Sequence, residues 1–303
     1  MMGSYGTTIR LEGINGANPL GFLCALGTLA VVARNYKHAR LGWQFEVGQW
    51  MPVLVDGPEE CNALLDYLDR ELAQLPMDVF EHESRMPFAA GRFREILLQA
   101  VRTTTERREL DLLAALGSEA VTNDDGTFLD TAFRMVRSAD NSGNGFPAYA
   151  VKIRRATTRQ HLERALFLPW DYSDDQSTFR WDPAEDAPYA LRWDNPSTAP
   201  NRTMLGANSL AIEALIFFPS VPVGSSLVTT GFSQTEREMH FTWPIWEHPL
   251  GPDPIRSLVS HPELHRPTPD RTTLRAMGIA EIFRSRRFAP NQYYKNFSPA
   301  QPA

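Results

Sequence analysis

The chain reads as an α+β protein in which helix dominates and short strands form mixed or antiparallel sheets. Three observations predict this. Cys61, Leu64, Leu65, Leu68 and Leu72 fall on one face of a helical repeat. Trp43, Phe45 and Val47 alternate with their neighbours as a strand should. The 23 prolines and 19 glycines call for many turns and ordered loops between such elements.

Taken in order, Thr8 to Leu11 reads as a short strand. Asn18 can cap a helix whose first position is Pro19, and LGFLCALGTLAVVARN stays apolar on most faces. Gly21, Ala25 and Gly27 let a neighbouring backbone approach, so this helix is expected at the centre. Trp43 to Val47 and Val53 to Val55 are expected to pair. Pro58 opens a second helix that runs to about Leu75, and a polar-aromatic loop covers Pro76 to Ala90. Helices follow over Gly91 to Thr104 and Thr105 to Leu116. The turn at Asn123 to Gly126 leads into another element ending near Arg137.

Ser138 to Gly145 (SADNSGNG) is the best candidate boundary, dividing a lobe over 1–137 from one over 146–303 unless both form one compact domain. Thr158 can cap a helix from Arg159 to Phe167. Asn208 to Phe217 is expected as a buried helix, Leu227 to Thr230 and Met239 to Trp243 as strands, and Thr272 to Phe283 as a last helix. The tail from Pro290 reads as loosely ordered.

The net charge of −6 argues against a generic polyanion binder. Of the 30 basic residues only Lys37, Lys152 and Lys295 are lysine. Arginine suits phosphate and carboxylate forks, although genomic base composition produces the same excess. Cys24 and Cys61 read as reduced, buried residues of a cytoplasmic protein. The first residues lack a signal peptide's basic start and apolar core, and the longest apolar run, around Leu20 to Ala33, is too short to span a bilayer. The expected location is the cytoplasm, away from any membrane.

Asp171 to Pro222 is the most distinctive stretch. Arg180-Trp181-Asp182 and Arg192-Trp193-Asp194 each lead into a proline. Turn residues this dense, with large aromatics among them, point to a loop held by packing and to a binding surface more than a reaction centre. Its acidic residues Asp171, Asp174, Asp175, Asp182, Glu185 and Asp186 could hold a divalent cation for phosphodiester hydrolysis, which makes a metal-dependent nuclease one alternative. The intervening prolines leave that geometry open, and a solvated or structural role is the simpler reading. His261 and His265 lie four apart, but Pro262 and the position of Glu263 break the zinc-protease pattern. No phosphate loop, dinucleotide fingerprint or nucleophile elbow occurs. The expectation is a protein that is not an enzyme, with no resident metal or cofactor.

Two constellations remain. Arg284, Arg286 and Arg287 form the one concentrated basic patch, followed by Tyr293, Tyr294 and Lys295; cations interleaved with aromatics can neutralise phosphates and stack bases. The same arginines would equally suit a solvated helix C-terminus. Trp243 and Trp246 flank a rigid corner in WPIWE. Together with Trp181 and Trp193 they could serve a protein-docking surface, the alternative of a purely protein-protein adaptor, or they could be core.

Several segments are familiar together: GINGANPLGFLCALGTLAVV, FRWDPAEDAPYALRW, LGANSLAIEALIFFP, FTWPIWEHPL and GIAEIFRSRRF with NFSPA. They resemble proteins encoded beside type I-G (formerly I-U) CRISPR systems. The nearest resemblance is to the small family described as an extension of the helicase-nuclease; the next is to the type I-G effector large subunit. The resemblance implies a non-catalytic component of an RNA-guided antiviral interference machine. Such a component would contact guide RNA or target DNA, or bridge effector subunits to the helicase-nuclease. Helicase and HD-nuclease motifs are missing, and the chain is shorter than a typical large subunit.

Overall fold

Two antiparallel sheets flank a buried helical centre. The first carries β1 (Thr8–Arg10), β2 (Arg40–Glu46) and β3 (Gln49–Val55) in the order β1-β3-β2. Between β1 and β2 runs α1 (Pro19–Val32), whose start is fixed locally: Asn18 Oδ1 accepts the Gly21 N–H at 3.1 Å, and Pro19 has no N–H to lose. The structure is a computed structural model that describes residues 6–135, 145–175, 177–185, 202–235, 238–291 and 294–303, with the side chains of 289–291 and 294 outside that description.

The middle of the chain is mostly helical, with α2 (Cys61–Gln74), α3 (Asp78–Glu81), α4 (Ala90–Thr103) and α5 (Arg107–Leu116). The hairpin of β4 (Gly117–Thr122) and β5 (Phe128–Asp130) follows, then α6 (Phe146–Ala156) and α7 (Arg159–Phe167). Two short strands, β6 (Asp174–Asp175) and β7 (Arg202–Thr203), close a long excursion and lead into α8 (Leu205–Ala214). Every residue of α8 is buried, as is nearly all of α1. The two helices pack against each other so closely that a Cβ on Gly27 would lie 1.8 Å from the Leu210 carbonyl oxygen. Glycine is the residue that permits this approach.

The hairpin of β8 (Ser220–Val223) and β9 (Ser226–Thr229) leads to the second main sheet. That sheet contains β10 (Phe232–Gln234), β11 (Met239–Trp246), β12 (Ile279–Asn291) and β13 (Tyr294–Phe297) in that order, with β14 (Gln301–Pro302) also paired to β12. Helices α9 (Pro252–Val259) and α10 (Arg271–Ala276) fill the connection from β11 to β12. Phe232, Phe241, Trp243, Phe283 and Phe297 form the sheet's core face and stack on one another. Trp243 also meets Phe22 of α1, and one apolar cluster contains residues from both sides of the expected 138–145 boundary. Of that boundary segment, 138–144 lies outside the described residues.

The fold class is thus α+β with small antiparallel sheets. Two expectations change at the C-terminal end. The helix expected over Thr272 to Phe283 ends at Ala276, because Gly278 adopts φ +86 and the residues beyond it pair with β11 as a strand. The segment beyond Pro290 was expected to be loosely ordered, yet it supplies β13 and β14. Cys24 is buried but Cys61, at the first position of α2, is exposed. Among the described residues no helix is long and apolar enough to cross a membrane.

Candidate nucleic-acid interface

The alternation of β12 divides the basic cluster. Arg284 and Arg286 share the outer face with their cross-strand partners Thr242 and His240, while Ser285 and Arg287 point the other way. Arg287 is tucked toward the turn after β5, where it donates to the Arg134 carbonyl at 2.9 Å. Burial pushes its guanidinium down to about 10, with Asp130 opposing and Arg134 adding to that shift. Lys295 lines a separate polar cleft of about 910 Å³ with Asp130 and Arg134. Four cations adjacent in sequence or pairing therefore serve two different surfaces.

Arg284 is committed to the protein itself. Its Nε donates to Thr242 Oγ1 at 3.0 Å, and its two terminal nitrogens donate to the carbonyls of Pro267, Leu264 and Arg266 at 3.0, 3.1 and 2.7 Å. Burial lowers its pKa. It fastens the turn before α10 to the sheet, which is a positioning role. Arg286 is different: 43% of its side chain is exposed, it pairs with Glu238 at 2.8 Å, and its guanidinium lies 5.3 Å above the Phe288 ring. Tyr293 lies outside the described residues; Tyr294 is described only as backbone in β13.

The outer face forms the floor of a groove of about 740 Å³. Arg271, Arg284, Arg286 and His240 line it together with Glu238, Pro267, Pro269, Pro299 and Pro302. Arg271 reaches it from α10, held by the Ala303 carbonyl at 2.9 Å and by Glu281 at 3.2 Å. His240 has its pKa lowered, chiefly by burial, with Arg284 and Arg286 adding to that and Glu238 opposing it. Arg271 and His240 lie outside the patch expected from the sequence, whereas Phe288 closes its run Arg284-Ser285-Arg286-Arg287-Phe288. The period-two pattern Arg284-Ser285-Arg286-Arg287-Phe288 was the signal that would have put Phe288 beside Arg286.

Three of the four tryptophans expected on a docking surface are core residues instead. Trp181, Trp243 and Trp246 are at most 1% exposed. Each indole N–H is spent on a backbone carbonyl: Phe133 at 2.9 Å, Gly16 at 2.8 Å and Leu41 at 2.7 Å. Large apolar rings with one satisfied donor are cheapest inside, and these three anchor distant loops to the core. Trp193 lies outside the described residues.

Of the acidic cluster, Asp174, Asp182 and Glu185 are buried and Asp171 is exposed. Arg164 bridges Asp171 at 2.5 Å and Asp174 at 2.6 Å, and the other Asp174 oxygen accepts the Leu205 N–H at 2.8 Å at the start of α8. Asp182 accepts from Asn18 Nδ2 and Tyr172 Oη, both at 2.9 Å. Glu185 accepts from Thr178 Oγ1 at 2.5 Å and from Thr203 Oγ1. Burial pushes the Glu185 carboxyl up to about 8, and neighbouring Asp182 adds to the rise. Asp175 is exposed, and Asp186 lies outside the described residues. Among the described residues no three His, Cys, Asp or Glu side chains converge where a metal ion could sit. These carboxylates pin the 171–185 segment onto the starts of α1 and α8.

No family model matches the chain, and no curated protein matches it.

Proposed function

We propose that the chain is a cytoplasmic, non-catalytic component of a type I CRISPR interference system that contacts nucleic acid through the groove on the outer face of β12. The sequence resemblance supplies the system. One observation carries the contact: Arg271, Arg284 and Arg286 line the groove with Glu238, and Glu281 pairs with Arg271, which leaves an excess of arginine over carboxylate although the chain as a whole carries a net charge of −6. A local excess of cations in an acidic chain concentrates phosphate attraction at one place and suits a subunit that meets nucleic acid inside an assembly. The partners on this reading are effector subunits or the helicase-nuclease, with guide RNA or target DNA in the groove.

The test is co-expression with type I-G effector subunits and a guide RNA, followed by size-exclusion chromatography with and without RNase. Co-migration that Arg286→Glu weakens supports the groove as the contact. Co-migration that survives both RNase and Arg286→Glu assigns membership to protein docking elsewhere. Absence of co-migration removes stable membership of the effector.

A further inference from the structure

We infer that the groove takes single-stranded nucleic acid, reading it by stacking on a shelf made by Arg286 and Phe288, and that it rejects duplex. The inference rests on the nucleic-acid reading above and adds the class of ligand. Its basis is the combination of surfaces rather than charge alone. Phe288 follows Arg286 by two residues on the same strand, so both side chains rise from one face. The guanidinium lies 5.3 Å from the ring centroid, and Phe288 is 40% exposed despite its large apolar ring.

A planar cation laid on an aromatic ring offers a broad flat surface, and Arg286 of the pair lines the groove while Phe288 stands beyond that lining. Unpaired bases present faces that such a surface can stack, whereas a duplex hides those faces between neighbouring pairs. The walls point the same way. Pro267, Pro269, Pro299 and Pro302 in the lining are rigid, apolar and without N–H donors, so they suit base faces better than phosphates. Arg271 of α10 lines the same groove and offers phosphates a second cation beside Arg286.

The experiment uses the purified full chain and fluorescence anisotropy with oligouridylate, oligothymidylate and a mixed-sequence duplex of equal length, each across a salt series. Both or either of the single strands should bind about tenfold or more tightly than duplex. Phe288→Leu keeps apolar bulk but removes the ring, and should weaken single-strand binding about tenfold with an unchanged salt slope. Arg286→Lys keeps the charge but loses the planar fork, and should behave in the same way. Arg286→Gln should lower the salt slope by about one phosphate's worth. Equal affinity for duplex, or wild-type binding by both Phe288→Leu and Arg286→Lys, would overturn the stacking shelf while leaving the broader nucleic-acid reading in place. No salt-dependent binding to any probe would overturn both.

Discussion

Glu213 of α8 accepts a hydrogen bond from Arg154 of α6 at 2.6 Å, with both side chains almost wholly withdrawn from solvent. Arg108 of α5 closes the other side of the same carboxylate at 2.6 and 2.8 Å. One buried anion thus ties three helices together. Burial alone would raise the Glu213 carboxyl, but the two guanidiniums overcome it and hold it down at about 2. Glu213→Gln leaves two buried cations without their counter-charge, and should destabilise the fold by about 3–5 kcal/mol in urea denaturation. A loss under 1 kcal/mol would show that the arginines find other partners.

Two buried glutamates, Glu213 and Glu185, give opposite pH dependence. Glu213 has a depressed carboxyl, so its contribution is present above the unfolded value of about 4.3 and is lost as pH falls toward 2. Glu185 has a raised carboxyl, so the folded state holds a proton that the unfolded state has released. Its stabilisation is complete below about pH 4.3 and declines as pH rises to about 8. Denaturation midpoints of Glu185→Gln should therefore fall less than those of the wild type between those two limits. Parallel curves would remove Glu185 as the source of the slope.

Arg284 and Arg286 should separate by assay. Arg284→Gln leaves the Leu264, Arg266 and Pro267 carbonyls without their common donor and should lower stability by about 1–3 kcal/mol. Arg286→Gln, at a partly exposed position, should change stability by no more than about 0.5 kcal/mol. Thermal melts of the two variants check this, and equal losses would mean that both arginines are structural.

Trp243→Ala should fail as a core substitution does. The indole is fully buried, stacks on Phe241 and donates to Gly16, so its removal should cost about 3–5 kcal/mol. A variant of near wild-type stability that has lost only a protein partner would restore the docking role.

Gly27→Ala brings a Cβ against the Leu210 carbonyl in the tightest helix contact of the core and should destabilise by about 1–3 kcal/mol or more. Gly91→Ala, in α4 with nothing within 4 Å of the added carbon, is the control and should be neutral or slightly stabilising. Equal effects in chemical denaturation would show that α1 and α8 can move apart freely.

The chain itself determined those features whose causes lie within a few residues. Asn18 and Pro19 start α1, the apolar spacing of Leu64, Leu65, Leu68 and Leu72 makes one face of α2, and alternation makes β11; each is a local hydrogen-bonding or periodicity effect. Tertiary structure decided what those elements face. Ile279 to Phe283 became strand because β11 pairs with it, a preference that outweighed a plausible helical reading. Arg287 was drawn inward by the carbonyl of Arg134, 153 residues earlier, and Trp243 by that of Gly16, 227 residues earlier. The groove itself joins β11, β12, the turn before α10 and the 298–303 segment. Which arginine meets solvent and which aromatic is core depends on partners supplied by distant parts of the chain, and those partners are brought close only when the sheets close over α1 and α8.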